Sequence, residues 1–563
     1  MRGGKQIKNK KMLFLCIAVV LCAGFVVALL LYSENNQTNN AGSSLTVKCS
    51  NGIFTGALEE NTGVLSFKGI PYAKAPVGEL RWKAPVEPDP SDDRFNATEY
   101  GKVCLQSPST ENASGKPMSE DCLSLNIWTS DLDTQNKPVM VWIHGGSYGW
   151  GGTNDPIYNG EFLVDKYDDL IVVTINYRVN LLGFIDFSNV PGGEDYPDGP
   201  YLGILDQQMA LRWIQKNIES FGGDPNNVTI FGESAGGGSV ISLLAADGSD
   251  GLFNRAIAQS GAGFNHSKEK YDETNQAGEL LKAAGVSDMD GLMALSEAEL
   301  YDAMCADTER IGGENGTRVS DLNNYPMRDD KLSIIPSDVG RAIAERARDV
   351  DIMIGTTGDE MRYWVNEMGC GNDDDNASVF YEYVQGKVEK YKNLYPDQAD
   401  RIDEAVRIST AVDDSKYTKL YPGIWKYADV MSEIAFRTPM LEILAERINA
   451  GGNGNNYVYL FNKRATVNDW YGACHACELD YVFYNLNRDD VGVGPADPKL
   501  AEKVSAAWVS FARTGNPSTD EIVWEKYNLE NRPTMVMGDD CTMKMENDPK
   551  GTLRELLQDV LIF

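Results

Sequence analysis

The sequence predicts an α/β protein: a large, mostly parallel central sheet flanked by helices, with helical insertions after one central strand. Three observations lead to this. Short apolar, β-branched runs recur at residues 138–143, 170–176, 227–231, 255–259 and 350–354, and they are near-continuous rather than alternating, as strands covered on both faces must be. Between them lie helical stretches such as 206–221, where Met209, Leu211, Trp213, Ile214 and Ile218 mark an apolar face and Gly222-Gly223 a stop. Residues 228–239 pass directly from a strand-like run into a helix of small residues through Gly232-x-Ser234-x-Gly236.

That last stretch organises the rest. A strand turning sharply into a helix leaves no room for side chains beside the turn, so glycine stands at 232 and 236. Ser234 is then held at the apex with its Oγ exposed. The N–H of Ala235 lies at a helix N-terminus, where the dipole and the unpaired donors favour negative charge. Five-residue patterns recur by chance and glycines often only make turns, so the pattern gains meaning only if partners for a nucleophile follow in order.

The chain has 563 residues, enough for one large α/β domain with insertions. Its net charge of −32 repels phosphates and anionic headgroups, which argues against nucleic acid and acidic lipid as partners. Residues 1–11 carry Arg2, Lys5, Lys8, Lys10 and Lys11 and no acid. Residues 12–32 follow without a charge, about 30 Å of helix, the depth of a bilayer core. The basic flank keeps the first end in the cytoplasm. Residues 12–32 therefore read as a transmembrane signal anchor, or as a signal peptide if they are removed. Residues 33–44, rich in Asn and Ser, read as a flexible tether, and 45–563 as one extracytoplasmic domain. Eight cysteines lie in that domain, where thiols can oxidise; they allow 105 complete pairings.

Further motifs sharpen the picture. Phe67-x-Gly69-Ile70-Pro71-Tyr72-Ala73 is followed by Glu120-Asp121-Cys122-Leu123-x-Leu125-Asn126-Ile127-Trp128, then by Gly232-Glu233-Ser234-Ala235-Gly236. Together these resemble the type-B carboxylesterase/lipase family, which includes cholinesterases and bacterial para-nitrobenzyl esterases. The likeness covers roughly residues 45–563. It implies the α/β-hydrolase fold, ester hydrolysis without metal or cofactor, and a disulfide between Cys104 and Cys122.

The strand at 138–143 ends in His144-Gly145-Gly146-Ser147-Tyr148-Gly149. Such a loop lets bare N–H groups approach a ligand, although glycine runs are more often surface turns. The resemblance makes it the oxyanion loop, with donors from Gly146, Ser147 and Ala235. The family more often has Gly or Ala where Ser147 stands, but the N–H of Ser147 can still donate.

A serine hydroxyl needs a base that titrates near neutrality, and the chain has three histidines. His144 belongs to the glycine-rich loop, and His266 to a loop after Ser260-Gly261. Only His475 follows both Ser234 and the acidic pair Asp359-Glu360, in the order nucleophile, acid, base. The strand at 350–354 places that pair at the sheet edge where open α/β sheets keep their sites. The resemblance points to Glu360, rather than Asp359, as the acid orienting His475. Cys474 and Cys477 flank the base. With no second His or Cys pair nearby in sequence they read as disulfide partners rather than metal ligands, and Cys370 is an expected partner for one of them.

The expected activity is hydrolysis of small or medium neutral esters through an acyl-Ser234 intermediate. The segment between Cys104 and Cys122 has no aromatic residue to hold a quaternary ammonium by cation–π attraction, which argues against choline esters. A lipase is the alternative, though no lid is identifiable. A non-catalytic adhesion protein of the same fold is the alternative from another class, and the three filled triad positions speak against it. Oligomeric state is open at this level.

Overall fold

The structure is a computed structural model that describes residues 45–107, 116–261, 267–307, 318–321, 325–367, 374–411, 421–487 and 493–560. Segments 1–11, 12–32 and 33–44 lie outside these, as do His266 and Cys370. Among the described residues no helix is long and apolar enough to cross a membrane. Contacts divide the chain into Met1–Val47 and Lys48–Phe563, and the second unit holds the central sheet.

Among the described residues that sheet has eleven strands: β1 (Ala57–Leu58), β2 (Leu65–Pro71), β3 (Ser124–Thr129), β4 (Lys137–Ile143), β5 (Ile171–Ile175), β6 (Gly223–Glu233), β7 (Arg255–Gln259), β8 (Asp351–Thr357), β9 (Asn456–Phe461), β10 (Pro533–Met537) and β11 (Met543–Asn547). Their order is β1-β2-β3-β5-β4-β6-β7-β8-β9-β10-β11. All pairs from β5 to β10 are parallel. The β1–β2, β2–β3, β3–β5 and β10–β11 pairs are antiparallel. Every residue of β4, β5 and β9 is buried, which is why their sequences are apolar without alternation. This is the α/β-hydrolase fold.

Some boundaries differ from the sequence reading because the sheet extends them. β6 begins at Gly223 rather than 227, since Gly223 pairs with Lys137 and draws the polar run Asp224-Pro225-Asn226-Asn227 into the strand. β8 continues beyond 354 to Thr357, paired with Phe461. The helix expected at 206–221 is α1 (Leu202–Asn217) with a 3₁₀ turn at Ile218–Phe221. The small-residue helix is α2 (Ala235–Ala245).

The motif residues near the N-terminus serve packing. Glu120 receives both arms of Arg81, at 2.6 Å each, with both side chains buried. Asn126 accepts from the Gly69 N–H at 2.9 Å and donates to Thr174 Oγ1. Arg178, just past β5, forks onto the buried Asp206 of α1 at 2.8 and 2.7 Å. A charge-assisted pair of this kind has its donors and acceptors satisfied, so it fixes geometry without leaving an orphaned charge. Trp142 of β4 meets Phe231 of β6 and Phe483 at ring-centroid distances of 4.9 and 5.0 Å. The strand before the glycine-rich loop, the strand before Ser234 and the segment after His475 thus share one core.

Candidate active site

The elbow at Ser234 is forced by close backbone approach. A Cβ on Gly236 would lie 2.0 Å from the Ile143 carbonyl oxygen, and one on Gly232 2.6 Å from the Gly236 carbonyl carbon. Ser234 itself has φ +58° and ψ −125°, a conformation that costs a non-glycine residue about 1–3 kcal/mol and persists only where surroundings hold it. Its N–H donates to Gln259 O at the end of β7, at 2.9 Å, and its carbonyl accepts from Gly238 N–H inside α2. The result is a serine on a tight turn, 8% exposed, with the N-terminus of α2 directly behind it.

The glycine-rich loop leaves β4 against this elbow. A Cβ on Gly145 would sit 2.8 Å from Glu233 O. Gly146, Ser147 and Tyr148 all have positive φ, at 102°, 51° and 55°. Gly146 O accepts from the N–H groups of Gly149 and Trp150, which curls the loop back on itself. Among the described residues the N–H groups of Gly146, Ser147 and Ala235 have no protein acceptor. Two segments distant in sequence thus leave unpaired N–H donors near Ser234. His144 takes no part: it is fully buried, stacks on Tyr177 at 4.4 Å, and burial pushes it down to about 4.

His475 lies on the loop after β9. Its Nδ1 is 2.6 Å from Glu360 Oε2, and its backbone N–H donates to Glu360 O at 3.3 Å. Glu360, wholly buried just past β8, also receives Ser260 Oγ at 2.6 Å and the Thr357 N–H at 2.8 Å, both on Oε1. Asp359 has a different task. It receives the Ala473 N–H on Oδ2 at 2.9 Å and gives its own N–H to Ala473 O at 2.8 Å, so it ties down the loop that carries His475.

The other ring nitrogen does not touch Ser234. His475 Nε2 meets Glu233 Oε1 at 3.0 Å, and no hydrogen bond joins His475 to Ser234 Oγ among the described residues. Such bonds are often formed only when a ligand is bound. Glu233 and Glu478, both buried, are carboxylates whose roles the sequence left open or unread. Burial raises Glu233 to about 8 against the pull of His475, and raises Glu478 to about 7 with help from Glu360. Gln259 donates to Glu478 at 3.0 Å and accepts from Trp508 Nε1 at 3.1 Å. Burial would lower His475, but the carboxylates of Glu233 and Glu360 outweigh it and push it up. Replacing Glu233 by Gln should therefore let His475 stay neutral at lower pH. The acid limb of the kcat/KM profile is expected to move down by about one pH unit or more; an unmoved limb would exclude this coupling.

Aromatic rings surround His475: Phe436 at 4.9 Å, Trp364 at 5.4 Å and Tyr363 at 6.0 Å between ring centroids. Phe436 belongs to the π-helical turn Glu433–Arg437, a widening of the helix that often marks functional sites. Neither the ring of Phe436 nor the support from Ser260 carried a sequence signal beyond position after a strand or on a helix. Cys104 and Cys122 are buried free thiols, and the nearby Cys104 thiol together with burial raises that of Cys122; no S–S bond joins them in this structure.

Comparison with known proteins agrees with this architecture. The model of the carboxylesterase family matches residues 43–553. The para-nitrobenzyl esterase of Bacillus subtilis is 35% identical over 507 residues, covering 88% of this chain and 95% of its own. The bile salt-activated lipase of Bos taurus is 31% identical, covering 83% and 78%. A Geobacillus stearothermophilus carboxylesterase structure superimposes with a TM-score of 0.73 at 32% identity, covering 91% of this chain and all of that one. A strand-elbow-helix serine beside a buried histidine–carboxylate pair, on this sheet and with these relatives, identifies the chain as a member of the carboxylesterase family and a carboxylic ester hydrolase.

Proposed function

We propose that the protein hydrolyses small to medium neutral esters through an acyl-Ser234 intermediate. The 2.6 Å contact between His475 Nδ1 and the buried Glu360 carries this reading: it keeps a proton on Nδ1 and reserves Nε2, which meets Glu233 Oε1 at 3.0 Å in this structure, for Ser234 once an ester is bound. His475 takes the proton of Ser234 Oγ as that oxygen attacks the ester carbonyl. The N–H groups of Gly146, Ser147 and Ala235 hold the oxyanion, and His475 returns the proton to the departing alcohol. Water, activated by the same imidazole, then releases the acid and frees Ser234. Every step is served by side chains and backbone of this chain.

Neutral esters suit the aromatic wall of Phe436, Trp364 and Tyr363 around the base, and the name of the Bacillus subtilis relative points to a benzyl ester. A panel of para-nitrophenyl esters graded in acyl length is the test, run beside a choline ester. The highest kcat/KM is expected for short and medium chains, with the choline ester poor. A maximum for long chains presented as micelles would favour the lipase alternative, which the Bos taurus relative keeps in view.

Two further elements belong to this reading. The uncharged run 12–32 behind a basic flank supports a single N-terminal anchor holding the domain outside the cytoplasm. The burial of Cys104 and Cys122 and the influence of one thiol on the other support a disulfide there under oxidising conditions.

A further inference from the structure

Cys474 and Cys477 stand on either side of His475, and the hydrolytic steps use neither. Both are buried, at 1% and 7% exposed, within one apolar core. Both are free thiols, near enough in space that the Cys474 thiol helps burial to raise that of Cys477. The backbone brings them together: the Cys477 N–H donates to Cys474 O at 3.2 Å, closing a turn in which Ala476 has φ +64°. Helix Leu479–Val482 begins directly after it. Buried cysteines often serve only as small apolar fillers. Two such fillers brought together by one backbone turn, with His475 between them, ask for more.

The turn is anchored on both sides, with Glu478 beyond Cys477 taking a hydrogen bond from Gln259 at 3.0 Å. Ala473 is held by Asp359, and His475 N–H by Glu360 O. Ala476, in the left-handed region, is the strained residue. Among the described residues no group of three or more His, Cys, Asp or Glu side chains forms that could hold a metal ion.

We propose that Cys474 and Cys477 form a disulfide that encloses His475 and locks the turn carrying it. The inference rests on His475 being the base. Two thiols become one S–S bond and give up two protons and two electrons. A disulfide oxidant, either a small molecule or an oxidoreductase, receives them. One cysteine thiolate attacks an oxidant sulfur and expels a thiol; the second then attacks the mixed disulfide and expels another. Burial holds the Cys477 thiol well above its usual range, so closure is faster during folding than in the folded chain. The closed ring contains the backbone of His475 and Ala476. It removes open conformations of the turn and keeps Ala476 left-handed.

The test uses the full chain after treatment with oxidised glutathione during refolding, or with a phosphine reductant. Tryptic peptide 465–488 contains both cysteines and no other. After oxidation it is expected to be lighter by two hydrogens and to take up no alkylating agent. Heated below the unfolding transition, the reduced enzyme should lose activity several-fold faster than the oxidised one, while circular dichroism stays unchanged in both. Cys477→Ala should behave as the reduced enzyme in either buffer. The double variant Cys104→Ala/Cys122→Ala should keep the difference between buffers. Two alkylated cysteines after oxidation, or a link from this peptide to one bearing Cys370, would overturn the pairing. A closed bond with equal inactivation rates would overturn the lock. Peptide mapping needs no turnover, so it stands apart from the hydrolase reading, which full activity in Ser234→Ala would sink.

Discussion

Ser234→Ala is expected to lower kcat on a para-nitrophenyl ester by about 10⁴- to 10⁶-fold, with KM within a few-fold of the parent. The acyl-enzyme cannot form without Oγ, so the initial burst should vanish together with turnover. The oxyanion donors and the bound substrate geometry remain, and they account for the residual rate. Folding should survive. The alanine keeps the Cβ at φ +58°, so the strain of the elbow is unchanged, and no buried partner loses a hydrogen bond among the described residues. An organophosphonate should label the parent once per chain and leave the variant unlabelled. Equal rates in parent and variant would remove the nucleophile from Ser234.

Glu360→Gln should reduce kcat by about 10³- to 10⁴-fold. The carboxylate takes three hydrogen bonds, from His475 Nδ1, Ser260 Oγ and the Thr357 N–H. A glutamine oxygen can keep the last two. Its NH₂ then faces Nδ1 and donates, which moves the imidazole proton to Nε2 and leaves no lone pair for the serine proton. Global stability should change little, because a charge leaves the interior along with the ion pair. Asp359→Asn offers the contrast. Its partners are the Ala473 backbone and Arg362, the latter at 3.2 Å, so the loss should be within about tenfold and should come through a looser His475 loop. If Asp359→Asn proved the more damaging, the assignment of the acid would be reversed.

The two adjacent acids show where sequence legibility stops. Asp359 and Glu360 share a strand end, a charge and a neighbourhood, and only a likeness to a family separated them. Their side chains leave the backbone in different directions, so one faces His475 and the other the backbone of the loop behind it. The carboxylates around His475 tell the same story. Glu233 was visible as the neighbour of the serine, but its contact with His475 Nε2 spans 242 residues. Glu478 and Gln259 are 219 residues apart. Strand boundaries moved for a related reason: Gly223 is extended because Lys137 is its partner, a pairing no local window contains.

By itself the sequence determined the elements whose causes are local. Glycines at 232 and 236 are demanded by a turn too tight for a side chain. Apolar runs without alternation must be strands covered on both faces, and one histidine alone follows both acid and serine. The tertiary structure decided which of two neighbouring carboxylates meets His475, which buried acids press on it, and that Cys474 and Cys477 close one turn around it. Those are matters of direction and long-range contact, set when the sheet brings distant strand ends to one edge.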